Sequence, residues 1–278
     1  MNRIVALLAA VLAAVGLVAA TGPVAPAGAQ SGARIHLIHG IPDTPVDVFA
    51  NGEVVLPDFQ FGDTEDLSAL AGQTLAGLQV RPAGTEDVAI DGGDLALPAS
   101  GNVTAIAHLD AAGKPTLTVF ENDTAPVAAG QGRLVVRHTA AAPAVDVKAN
   151  GEVAFSNLSN PNEAKADLPA GTISAEVVPT GASEPVVIGP ADLPVTEGSE
   201  LIVYAVGSLD GGTLQTLTES IDGLGSGPGA VPTGNSPVSD GSSSGPLALG
   251  LAGAGALVLA GGVVVVRRRT AATDTVAR

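Results

Sequence analysis

The chain has 278 residues, 46% of them hydrophobic and 14% charged, with 36 Gly, 20 Pro and no Cys. Its formal net charge is −16, and between Gln30 and Pro246 stand 7 basic and 27 acidic residues, a balance that repels phosphate backbones and anionic lipid and speaks against nucleic-acid binding. The missing cysteines exclude disulfides, thiolate zinc sites and cysteine nucleophiles, and 2% aromatic content leaves a core of Val, Leu, Ile and Ala.

Met1 to Ala29 reads as a secretory signal peptide. Arg3 supplies its charged start, Ile4 to Ala20 its apolar run, and Ala27-Gly28-Ala29 a small-residue cleavage site. The alternative is an uncleaved membrane helix, which Gly22, Pro23 and Pro26 would break.

Two repeats follow, residues 34–123 and 133–222. The segment RIHLIHGIPDTPVDVFANGEVVL aligns without a gap on RLVVRHTAAAPAVDVKANGEVAF, 99 positions later. In each copy Val alternates with other residues before an Asn-Gly pair, at Asn51-Gly52 and Asn150-Gly151. That pattern predicts a β-hairpin with a type I′ turn, because both central residues of such a turn need φ > 0. Seven strand candidates per repeat at turn-rich spacing predict an all-β fold of two tandem, independent immunoglobulin-like β-sandwich domains. No strand is expected between Leu56 and Thr74, or between Phe155 and Thr172. One larger barrel made from both repeats is the alternative.

Residues 225–246 are a linker in which 16 of 22 residues are Gly, Ser or Pro, too polar to offset the entropy of ordering. Leu247 to Val266 then holds ten Leu or Val and no charge, which predicts a single transmembrane helix. Arg267, Arg268 and Arg269 mark its cytoplasmic side, leaving residues 267–278 as a cytoplasmic tail and the repeats outside the cell. Ala230 to Gly234 faintly resembles a sortase sorting signal, although its leading residues depart from the common pattern.

Few constellations suggest chemistry. His36 and His39, three apart on a strand, face opposite ways and cannot share a metal. His39 and His138 are expected as structural histidines, with Asp47 and Asp146 as their side-chain partners. The acidic groups Asp63–Asp66, Glu86-Asp87 and Asp91–Asp94 are compatible with calcium, yet match no calcium-loop spacing and read first as solvated loops. No nucleophile elbow, zinc-protease or phosphate-loop motif is present. An envelope enzyme would need a pocket gathering His39 or His108 with carboxylates. Sugar binding would need exposed rings, and the chain has only five Phe, one Tyr and no Trp.

The segment HGIPDTPVDVFANGEV resembles the opening of the bacterial domain-of-unknown-function family number 4397, whose members read H-A-S-P-D-A-P-x-V-D-V-Y-x-N-G. His39, Pro42, Asp43, Pro45, Val46, Asp47, Val48, Asn51 and Gly52 fit that pattern. The second repeat keeps His138, Pro143, Val145, Asp146, Val147, Asn150 and Gly151, but has Ala141-Ala142 in place of Pro42-Asp43. The resemblance implies two tandem copies of an exported, often anchored domain with no assigned activity. The expectation is therefore a non-catalytic cell-surface protein, held in the membrane by one C-terminal helix and displaying two β domains to a protein or cell-wall partner. No cofactor is expected. The alternative is a module that binds calcium or wall glycan.

Overall fold

The computed structural model describes residues 32–225, whose regular structure is all strand apart from one 3-10 turn at Ser68–Leu70. The expected signal peptide, linker, membrane span and tail lie outside the described residues, save that residue 225 of the linker is included. No helix among the described residues is long and apolar enough to cross a membrane.

The first repeat has eight strands: β1 (Arg34–His39), β2 (Val46–Ala50), β3 (Glu53–Phe59), β4 (Thr64–Asp66), β5 (Thr74–Pro82), β6 (Ile90–Ala96), β7 (Asn102–Leu109) and β8 (Pro115–Glu121). The second has β9 (Gln131–Ala141), β10 (Val145–Ala149), β11 (Glu152–Leu158), β12 (Glu163–Pro169), β13 (Gly171–Pro179), β14 (Ile188–Val195), β15 (Ser199–Ser208) and β16 (Gln215–Asp222). Each repeat folds into two four-stranded sheets, ordered β4-β1-β7-β8 and β3-β2-β5-β6, then β12-β9-β15-β16 and β11-β10-β13-β14. The pairs β1/β7 and β9/β15 are parallel, and the other pairings between these strands are antiparallel.

This order corrects the immunoglobulin-like expectation, while the all-β sandwich holds. An immunoglobulin sheet joins the first strand to the second, fourth and fifth. Here the first strand joins the fourth, seventh and eighth. The parallel β1/β7 and β9/β15 pairings set this order, and β4 and β12 add an edge strand to each of those two sheets. The three residues of β4 are Thr-Glu-Asp, an edge on β1 in which Glu65 opposes Leu37. In β12 exposed charged Glu163, Lys165 and Asp167 alternate with half-buried Ala164, Ala166 and Leu168 along β9.

The hairpin turns are as the sequence predicts. Asn51 and Gly52 have φ of 56° and 79°, and Asn150 and Gly151 have 51° and 86°. Alternation then sends Val46, Val48 and Ala50 into the first sandwich, and Val145 and Val147 into the second.

A third core lies between the repeats. Along β7, Val103, Ala105 and Ala107 face the first sandwich interior while Ile106 faces the second repeat. Along β15, Leu201 and Val203 face inward while Ile202, Tyr204 and Val206 face the first repeat. With Ile38, Phe120, Val135, Leu217 and Ile221 these residues pack the two inner sheets against one another. Strands buried on both faces are apolar nearly throughout, which is why Leu201–Val206 of β15 is an unbroken apolar run, while β7 buries Thr104 and His108 among its apolar residues.

Candidate functional site

The expected His–Asp pairs do not form. His39 is wholly buried and stacks on Phe59 at 5.9 Å, with its Nε2 2.7 Å from the Thr44 carbonyl. His138 likewise places Nε2 3.0 Å from the Pro143 carbonyl. Both imidazoles therefore donate from Nε2 and clamp the loop that leads into the next strand. Burial lowers both pKa values, against the raising effect of those carbonyls, so both sites favour the neutral ring.

Asp47 lies between Val46 and Val48, so the strand period turns it away from the sandwich interior that holds the histidine. Its two oxygens accept from the backbone N–H of Asp58 at 2.8 Å and of Gly84 at 3.2 Å. Asp146 accepts from Asn157 at 2.8 Å and Gly181 at 2.9 Å. Asp58 and Asn157 have φ of 51° and 53°, and they sit where the β2/β3 and β10/β11 registers shift. Each aspartate thus braces a bulge against the turn that follows the strand paired with its own, β5 or β13. The histidines and aspartates are structural, through backbone partners rather than each other.

The densest charge cluster lies instead between the repeats. Glu219 on β16 is 6% exposed and accepts from Tyr204 Oη at 2.8 Å and from Thr104 Oγ1 at 3.0 Å. His36 Nδ1 of the first repeat stands 2.6 Å from its other oxygen. Arg137 is wholly buried, lies 4.4 Å over the Phe120 ring, and donates to Glu163, Tyr204 Oη and Asn122 at 2.7–2.8 Å. Nearby, Arg133 reaches Asp167 and Asp123, and Lys165 also pairs with Asp123.

The hydrogen bond to Glu219 raises the His36 pKa, outweighing burial. Burial pushes the Glu219 carboxyl up, but donation from His36 and Tyr204 prevails and its pKa falls. Both shifts favour the charged pair. Glu200 on β15 behaves differently. It is wholly buried, its carboxyl has no hydrogen-bond partner among the described residues, and burial pushes its pKa up to about 7 despite Arg137 and Arg133 nearby.

The sequence reading missed Arg137, Tyr204, Glu219 and Glu200 as site residues. For Arg137 and Glu200 the signal was available, because a charged residue inside an apolar run such as RLVVRH or SELIVYAV has to find a partner or change its protonation; Glu219, in the polar stretch QTLTES, carries no such mark.

The remaining candidates resolve by contact. Asp91 and Asp94 accept backbone N–H groups from Gly93 and Gly77, and Asp63 accepts one from Gln60. No group of three or more His, Cys, Asp or Glu placed to hold a metal occurs among the described residues. Phe59, Phe120 and Tyr204 are buried, while Phe49 lies under Arg81 at 4.3 Å. His108 is buried and bonds the Leu109 carbonyl and Thr118.

Two concavities stand out. A cleft of about 1260 Å³ runs between the repeats, lined by Asp43, Gln60 and Phe61 on one side and by β14 and β16, including Glu219, on the other. A smaller cavity of about 340 Å³, almost wholly aliphatic, lies inside the first sandwich.

Residues 33–148 match the family described as Domain of unknown function (DUF4397). The matched stretch covers β1–β8 and continues through β9 into β10, so it contains both VDV segments, Val46–Val48 and Val145–Val147. No curated protein matches the chain.

Proposed function

We propose that this chain is a non-catalytic cell-surface protein, anchored by the apolar stretch 247–266, that displays its two sandwiches as one braced unit to an envelope or protein partner. The observation that carries this reading is the use made of its reactive side chains. All four histidines, the buried arginines and Glu219 are engaged in contacts that hold loops, tie paired strands or join the repeats. A buried ionic lock between two domains gives geometric definition rather than raw stability, as a spacer or display element requires.

A wall-glycan-binding module is the second reading, favoured by the inter-repeat cleft, where Phe61 offers a half-buried ring beside the polar Gln60 and Asp43. Incubating the full chain with cell-wall fractions, and labelling intact cells with an impermeant amine reagent, tests both. Surface labelling without saturable glycan binding supports the display reading; saturable glycan binding lost in Phe61→Ala favours the second. Absence of surface labelling contradicts both.

A further inference from the structure

We propose that the first sandwich binds a small apolar molecule with a hydrogen-bond-donating head, an amine or hydroxyl, whose body lies between the two sheets and whose head meets Glu65. Close-packed interiors leave few voids larger than a water. The cavity between these sheets measures about 340 Å³ and is lined by Ile35, Leu37, Val48, Leu56, Leu78 and Leu97. An apolar cavity of about 150 Å³ already holds a benzene-sized molecule, so this one has room for a chain on the order of ten carbons. Half-buried Leu67 and Leu70, on and beside the 3-10 turn, also line it.

The second repeat differs at the positions that make this space. Leu56 is matched by Phe155 in the gapless alignment. Ala105, which pairs with Leu37, is matched by Val203, which pairs with Val136. Where the first repeat has the short β4 and the turn, the second has the seven-residue β12. At Leu56 and Ala105 the second repeat thus carries the larger side chain, at Leu37 and Val55 the smaller Val136 and Ala154, and a continuous edge strand runs where the first repeat has β4 and the turn.

Glu65 supplies the polar end. Opposite Leu37 in the β1/β4 register, it shares that residue's face and turns toward the cavity. Its carboxyl is half-buried and makes no hydrogen bond or ion pair among the described residues. Burial and neighbouring Asp66 raise its pKa, as for a carboxylate short of a donor. An anionic head would meet both acids, whereas an ammonium or hydroxyl would satisfy Glu65.

The test uses the full chain with the neutral fluorophore N-phenyl-1-naphthylamine as probe, displaced by decylamine, decan-1-ol or decanoate. The expected result is one saturable site per chain, with decylamine displacing the probe about five- to tenfold better than decanoate. Glu65→Gln should remove that preference while keeping probe binding. The double variant Leu56→Phe/Ala105→Val, which copies the second repeat, should lose the saturable site with no loss of melting temperature. Leu70→Glu charges the rim without adding bulk to the core and should lose it too. Equal probe binding by wild type and both cavity variants overturns the site. Equal displacement by amine and decanoate, unchanged by Glu65→Gln, overturns the role of Glu65.

Discussion

His36 in the first repeat and Glu219 in the second lie 183 residues apart in sequence and 2.6 Å apart in space. Thr104 and Tyr204 hold the same carboxylate from either side of the interface. The pair is thus part of one hydrogen-bonded chain that runs from β1 to Arg137, rather than an isolated surface contact.

That relationship predicts coupled unfolding with a defined pH window. Because the His36 pKa is raised, its contribution is fully present below the ordinary value of 6.5 and is lost as pH rises through the folded value. The Glu219 pKa is lowered, so its contribution is present above 4.5 and is lost as pH falls through its folded value. Full strength therefore lies between these limits. Glu219→Ala should cost about 3 kcal/mol at pH 5.5 by leaving buried donors unpaired. His36→Gln should cost less, and its cost should be smaller in urea melts at pH 9 than at pH 5.5. A cost for His36→Gln that is the same at both pH values would contradict the pairing.

Tyr204 gives a cleaner cut through the same network. Its hydroxyl accepts from Arg137 Nη1 at 2.7 Å and donates to Glu219 Oε2 at 2.8 Å, while its ring packs edge-on to Phe120. Tyr204→Phe keeps the ring and removes only the hydroxyl. The expected loss is about 2 kcal/mol, since two buried charged groups each lose a partner. In a double-mutant cycle with Glu219→Gln the two losses should fall short of additivity by more than about 0.5 kcal/mol. Additive losses would mean that the hydroxyl does not connect these groups.

Glu200 should show the opposite pH behaviour to a stabilising carboxylate. Its folded pKa stands near 7, above the ordinary 4.5. Between those values the unfolded chain releases a proton that the native chain retains, so stability falls as pH rises through this window and stays reduced above it. The full effect is on the order of 3 kcal/mol. Glu200→Gln should leave stability at pH 4 nearly unchanged and raise it at pH 8, flattening the profile between. Thermal melts across that range read it directly, and a variant less stable than wild type at pH 8 would refute the assignment.

How much of this was legible beforehand differs residue by residue. The hairpins were, because Asn-Gly admits positive φ and Val alternation fixes which face is buried. Strand β4 was not, because an edge strand stabilised by ladder hydrogen bonds needs no apolar periodicity and Thr-Glu-Asp offers none, whereas β12 does alternate Ala164, Ala166 and Leu168 with charges and its small alanines make that signal weak. The parallel β1/β7 pairing and the sheet order stay hidden as well. The packing of one repeat on the other was half-visible. LIVYAV on β15 signals burial on both faces, but periodicity cannot say whether the second face meets a neighbour in the same domain or the next. The His–Asp pairing failed for a more general reason. Proximity in sequence suggested a side-chain partner, whereas both residue types found backbone groups, the commoner destination for side-chain hydrogen bonds.

The repeated aspartates now have a role that exchange measurements can isolate. Asp47 ties the amide of Asp58, at the β3 bulge, to that of Gly84, in the turn after β5. Asp146 does the same for Asn157 and Gly181. Neither aspartate bonds its histidine, so removing one should leave the loop clamps at Thr44 and Pro143 in place. In Asp47→Ala the amides of Asp58 and Gly84 should exchange about tenfold faster, roughly the worth of one backbone hydrogen bond, with Asn157 and Gly181 unchanged. Asp146→Ala should give the mirror pattern. Asparagine at either position keeps one acceptor oxygen and should protect one amide of each pair while releasing the other. If instead Asp47→Ala accelerates exchange in the loop held by His39, the histidine and aspartate act together after all, and the separation of their roles fails.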